Sequence, residues 1–116
     1  MKTDPAQMAL LFDFYGELLT EKQRVLFDLY YNQDFSLGEI AENEGISRQG
    51  VHDAIARAEQ ALRNYEEKTG CVARHRRTQE AVAAIAEAAE GLTSSAAPDA
   101  KTAAQIILAA IDSIKE

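Results

Sequence analysis

Apolar residues recur along this chain at steps of three and four, the spacing of helices that each bury one stripe. Met8, Leu11, Phe12, Tyr15 and Leu18 form the first stripe, and Asp4-Pro5 ahead of it supplies a capping side chain and a first-turn proline. Thr20-Glu21-Lys22-Gln23 reads as a capping box opening a second helix, with Val25, Leu26, Leu29 and Tyr30 directed inward and Asn32-Gln33-Asp34 closing it. Ser36-Leu37-Gly38-Glu39 is a second capping box and predicts a short helix ending near Glu44. Gly45-Ile46 is then a tight turn, and Ser47 caps a long fourth helix. Along it Val51, Ile55, Ala58, Leu62 and Tyr65 alternate by four and three residues almost to Gly70.

Past Gly70 the chain becomes alanine-rich. Val82, Ile85, Ala89 and Leu92 predict a fifth helix with Gly91 as its stop, and Ser94–Ala97 reads as a linker. Asp99 or Ser95 is expected to cap a sixth helix near Pro98, whose stripe is Ile107, Leu108, Ile111 and Ile114. The expected fold is all-α with about six helices: a helix-turn-helix domain over residues 1–70 and a helical extension over residues 71–116. That extension is too small to fold alone, so its stripes must pack on the first domain or on a second copy.

The helix-turn-helix reading rests on Glu39–Arg57. Two helices cross closely only where a small residue lets their backbones approach, which Ala41 does, and the turn needs a residue tolerant of positive φ, which Gly45 supplies. Ile40, Ile46, Val51 and Ala54 fall where they close a small core behind the motif, and Ser47 caps the second helix where it would enter a major groove. Off the buried seam, the residues placed to meet nucleic acid are Ser47, Arg48, Gln49, His52 and Asp53, with Arg57 one turn on. Arginine forks onto guanine and glutamine onto adenine, while Arg57 is better placed for phosphate. The alternative for this face is an ordinary solvated helix surface.

Composition narrows the picture. Of 116 residues, 47% are apolar and 27% charged, as in soluble globular proteins, and two prolines and six glycines leave room for long helices. The single cysteine, Cys71, cannot form an internal disulfide, and the N-terminus lacks the basic-then-apolar profile of a secretory signal. The longest apolar runs, Ala81–Ala86 and Ile106–Ile111, are too short to cross a bilayer, so no membrane insertion and a cytoplasmic location are expected. Net charge argues against easy DNA binding. Residues 1–67 carry 6 Lys/Arg against 13 Asp/Glu, a balance of −7, whereas residues 68–116 carry 6 of each. Because phosphate neutralisation supplies most non-specific affinity, the basic residues would have to share a face.

The one basic cluster is Arg74-His75-Arg76-Arg77, with Arg63 and Lys68 upstream. Arg63, Lys68, Arg74, Arg76 and Arg77 are candidate phosphate contacts; the alternative is solubility and pairing with the acidic N-terminal part. Phe12, Phe14, Tyr15, Phe27, Tyr30, Tyr31 and Phe35 crowd one region at helical spacing with few cations among them, which favours core packing over base stacking. Catalysis, metal binding and cofactors find no support: the two histidines and one cysteine lack zinc-ligand spacing, no glycine loop cradles phosphate, and the serines are explained as caps or linker. An exposed Cys71 could react, but a lone thiol has no assigned role.

The stretch Phe12-Asp13-Phe14-Tyr15, Leu19-Thr20-Glu21-Lys22-Gln23-Arg24, Tyr30-Tyr31, Ser36-Leu37-Gly38-Glu39-Ile40-Ala41-Glu42, Ser47-Arg48-Gln49-Gly50-Val51-His52-Asp53-Ala54-Ile55, Arg57 and Glu66-Glu67-Lys68 resembles the YlxM family over residues 8–68. The resemblance implies a helix-turn-helix like that of sigma-factor region 4 and a regulatory or accessory role in the signal recognition particle pathway. It differs from the family at Glu44, at His52 and in its alanine-rich tail. Three functions are then in view. The first is a DNA-binding regulator, dimeric through the Leu62–Tyr65 seam and the Ile107–Ile114 stripe. The second is an accessory protein that binds the particle's RNA or its GTPase, and the third a structural helix-bundle partner.

Overall fold

A computed structural model describes residues 2–115. Six helices follow one another, α1 (Pro5–Tyr15), α2 (Glu21–Tyr31), α3 (Leu37–Glu44), α4 (Arg48–Thr69), α5 (Cys71–Leu92) and α6 (Pro98–Lys115), and no strand occurs among the described residues. The chain divides into two compact units, the first ending at Val72 and the second beginning at Ala73.

Local signals set most helix ends of the first unit. Thr20 and Ser36 each complete a reciprocal capping box, with Gln23 and Glu39 reaching back to the cap N–H. Gly45 (φ 67°) and Gly70 (φ 64°) end α3 and α4 in the left-handed region, where a Cβ would be strained. One boundary departs from the expectation. The stripe was read as running to Leu18, but α1 stops at Tyr15 and a 3-10 turn (Gly16–Leu18) follows, leaving Leu18 exposed. Gly16 is buried here, and a Cβ on it would sit 3.1 Å from the Phe12 ring. Val25, on the α2 stripe, is exposed as well; α2 buries Leu26 and Phe27 and packs Leu29 and Tyr30 against the core.

α4 organises two cores along one face. Its first half holds Val51 and Ile55 against Leu26 and Ile40, with Leu37, Ala41, Ile46 and Ala54 around them, and so clamps α2 and α3. Its second half holds Ala58 and Leu62 against Met8, Leu11, Tyr15, Leu19, Phe27 and Val72, and so clamps α1. Phe27 stacks between Phe12 (centroids 4.7 Å) and Tyr31 (4.4 Å). The crowded aromatics are thus largely core. The Leu62–Tyr65 seam, read as a dimer surface, is spent inside the chain: Leu62 is fully buried and Tyr65 packs on the same cluster.

At the α4–α5 junction Glu66 accepts from the buried Tyr15 hydroxyl at 2.6 Å and from the Val72 N–H at 3.0 Å. Its carboxylate therefore ties α1 to α4 and caps the first turn of α5. Glu66→Ala should lower stability by about 1–3 kcal/mol, because it strips both donors of their acceptor. A smaller loss for Glu66→Gln in urea melts would locate the effect in the hydrogen bonds. Cys71, beside this junction, is half-buried and packs on the first core rather than standing exposed.

Tyr31 donates to Glu59 of α4, and the Thr3 N–H donates to its oxygen at 3.2 Å. Burial first, then the Glu59 carboxylate, push the Tyr31 hydroxyl above its ordinary range; Tyr15 is raised by burial and by Glu66. A folded pKa above the unfolded one gives stability that is complete below about pH 10 and lost as pH rises through the folded value. The tyrosinate absorbance of these two rings should therefore appear only together with unfolding. Tyr31→Phe should flatten the alkaline limb of the stability profile.

In the second unit Val82 and Ala89 of α5, and Ala104 and Ile111 of α6, are buried, each pair seven residues apart. Gly91 does not stop α5, which runs on through Leu92. Residues 93–97 connect the two helices, and Ser95 Oγ accepts from the Ala97 N–H at 3.2 Å just ahead of Pro98. No helix among the described residues is long and apolar enough to cross a membrane, and no three His, Cys, Asp or Glu side chains gather as metal ligands.

Candidate nucleic-acid interface

The candidate interface lies where α3 turns into α4. Both the Gly45 and Ile46 N–H groups fold back on the Ala41 carbonyl, which ends α3 in a tight turn. Ile46 packs into the core behind it. Ser47, in extended backbone, accepts the Gly50 N–H on its hydroxyl at 2.9 Å and launches α4. Gly50 suits that cap, since a Cβ there would lie 3.1 Å from Ser47 Oγ. Ser47 is therefore first a structural residue. Its O–H remains able to donate to a phosphate, beside the unsatisfied first-turn amides of the helix.

Ser47, Arg48, Gln49, His52, Asp53 and Arg57 are all exposed. At about 100° per residue, Arg48 and His52 form one row and Gln49, Asp53 and Arg57 a second, with Arg57 about 180° from Arg48. Arg48, Gln49 and His52 share a shallow depression with Leu37. A second notch beside it is lined by Tyr30, Leu37, His52, Ile55, Ala56 and Glu59. In the sequence Leu37, one position past a cap serine, reads only as a helix start, whereas here it lines the same depression as Arg48, Gln49 and His52. It adds an apolar edge of the kind that meets a thymine methyl.

Asp53 is more involved than a stray acid. Gln49 Nε2 donates to Asp53 Oδ1 at 2.9 Å, and His52 Nδ1 lies 3.4 Å from the same oxygen. The Gln49 hydrogen bond, followed by that of His52, holds the Asp53 carboxyl below the usual range, so it stays ionised at neutral pH. The first bond holds the Gln49 amide against Asp53. Glu39, held ionised by the Ser36 N–H, stands with Glu42 and Glu44 on exposed α3 positions; Glu44 thus points to solvent. Residues 36–57 hold four acids against two arginines, or −2.

Of the candidate phosphate contacts in the first unit, neither Arg63 nor Lys68 shares this edge. Arg63 and Lys68 are exposed on α4 at about 60° and about 200° from Arg48 around the helix. Arg74, Arg76 and Arg77 are exposed on the first turns of α5 and spread around it.

A capped, outward-facing helix start braced by a short helix across a glycine turn defines an all-helical helix-turn-helix protein. A family model described as helix-turn-helix protein, YlxM / p13 like (UPF0122), matches residues 2–98, and the chain belongs to that family. A UPF0122 protein of Caldanaerobacter subterraneus subsp. tengcongensis is 53% identical over 87 residues, covering 75% of this chain and 74% of the relative. One from Symbiobacterium thermophilum is 49% identical over 94 residues, covering 81% and 88%. For a relative from a Thermoanaerobacter species the values are 57% over 75 residues, covering 65% of this chain and 64% of that protein.

Proposed function

We propose that this chain is a non-catalytic, nucleic-acid-binding regulatory protein that presents the first turns of α4 to a major groove as a dimer. The observation that carries this reading is the Arg48–Gln49 edge, exposed at a capped helix start and backed by the core of Leu26, Ile40, Val51 and Ile55. Arg48 and Gln49 would read bases, Ser47, His52 and Asp53 would flank them, and Arg57, Arg63, Lys68, Arg74, Arg76 and Arg77 would meet phosphates. In this reading the activity belongs to the signal recognition particle pathway, which the family resemblance supports.

One observation favours a second target. Exposed Glu39, Glu42 and Glu44 beside the edge repel a phosphate backbone and suit an accessory protein that docks on the particle's GTPase or RNA instead. Parallel binding assays with duplex DNA, the particle's RNA and its GTPase separate the two. Duplex binding that weakens steeply with salt and is lost in Arg48→Ala/Gln49→Ala supports groove reading. Retention of particle components alone, abolished by reversing Arg74, Arg76 and Arg77, supports docking.

Asp53→Asn should tighten duplex binding, most at low salt, since it removes an ionised group from the edge. Unchanged or weaker binding in a filter or anisotropy assay would make Asp53 a contact in its own right.

A further inference from the structure

The second unit leaves a regular apolar seam uncovered. On α5, Ala81, Ile85, Ala88 and Leu92 follow one another at alternating steps of four and three and are exposed, Ile85 49% and Leu92 45% accessible, and Thr78 and Arg74 continue the same spacing towards the helix start. The buried stripe of Val82 and Ala89 lies about 80° away around the helix. α6 repeats the arrangement: Ala103, Ile107, Ala110 and Ile114 are exposed beside the buried Ala104 and Ile111. A strict four–three seam is the pattern of a helix that packs along a second helix.

We propose that a second copy of this chain covers this seam, α5 lying antiparallel on its counterpart. The inference specifies the dimer assumed under the proposed function and rests on that reading. Three features select a second copy in this orientation. First, charge is segregated along α5: residues 71–79 hold Arg74, Arg76 and Arg77 and no acid, whereas residues 80–92 hold Glu80, Glu87 and Glu90 and no base. Antiparallel pairing sets each basic end against an acidic end, and parallel pairing would oppose like charges.

Second, the spacing of the seam positions is the same in both directions about a point near residue 83. Ala81 then faces Ile85 of the partner copy, Thr78 faces Ala88, and the Arg74 stem lies along Leu92. Third, α5 and α6 bury only Val82, Ala89, Ala104 and Ile111, a small core that a second pair of helices would enlarge.

Sedimentation of the full chain tests the proposal. The wild type should sediment as a dimer, and Ile85→Glu/Leu92→Glu as a monomer that keeps its helical circular dichroism. Arg76→Glu/Arg77→Glu should lose the dimer, and adding Glu87→Arg/Glu90→Arg should restore it, which guards against a variant that merely misfolds. For orientation, in a Cys71→Ser background Thr78→Cys should not cross-link to itself, because antiparallel pairing separates the two copies of that position by about 15 Å. Mixing it with Ala88→Cys should give a disulfide dimer. A monomeric wild type overturns both this interface and the dimeric reading. A dimer that survives Ile85→Glu/Leu92→Glu overturns the interface alone. Self-cross-linking of Thr78→Cys, or failure of the second charge reversal to restore pairing, overturns the antiparallel arrangement.

Discussion

Replacing Phe27 with alanine is expected to lower unfolding free energy by about 3–5 kcal/mol. The ring is wholly buried, sits between Phe12 and Tyr31, and belongs to the cluster in which α1 and α2 meet the second half of α4. Its removal deletes two aromatic stacks together with the apolar burial, and the neighbours cannot close the gap freely. Phe12 is held by the close approach of Gly16, and Tyr31 by its hydrogen bond to Glu59. Domains of this size are stable by only about 5–15 kcal/mol, so the variant should sit near the edge of folding at room temperature. Phe27→Leu keeps much of the volume and should cost clearly less. Urea melts of the three proteins measure the difference, and a loss below about 1 kcal/mol would mean the cluster is loosely packed.

Arg48→Ala should cost about 1–3 kcal/mol of specific duplex affinity and relax preference at one base pair, as expected for a single arginine fork on guanine. Gln49→Ala should cost less than an ordinary glutamine contact, because the wild-type amide must first release Asp53. The two should therefore differ in kind from Lys68→Ala, which ought to weaken all sequences alike. That change should also flatten the salt dependence by roughly 0.9 per lost phosphate contact. Anisotropy titrations at several salt concentrations distinguish the two behaviours. If Arg48→Ala behaves like Lys68→Ala, Arg48 touches backbone rather than bases.

Much of the fold was legible because it is set by local chemistry. Thr20, Ser36 and Ser47 announce helix starts through their own side chains, and Gly45 and Gly70 mark ends that need positive φ. What escaped was tertiary. Leu18 and Val25 fit the helical period yet are exposed, since a 3-10 turn at Gly16 rotates the one and Phe27 takes the inward place of the other. Gly91 looked like a stop, but a glycine can be carried inside a helix at a cost of about 1 kcal/mol. Glu66 as the acceptor for both Tyr15 and Val72 depends on residues 51 positions apart and leaves no local mark. The long seam of α4 was read correctly as a packing surface but assigned to the wrong partner. It serves α1, α2 and α3 of its own chain, and the uncovered seams lie on α5 and α6.

At the candidate site the edge itself was legible from Ser47 onward, because a cap and an outward face follow from helix geometry alone. The Gln49–Asp53 bond and the apolar contribution of Leu37 required coordinates. Both change the chemistry expected there: one restrains the Gln49 amide, and the other adds an apolar surface beside it.

The most direct test of the recognition edge is an amide chemical-shift map recorded while unlabelled duplex DNA is added at low salt. The largest, saturating changes should fall on residues 47–53, with weaker ones near Arg57 and on α3. Shifts confined to α1, or to the far half of α4, with residues 47–53 unmoved, would contradict the account.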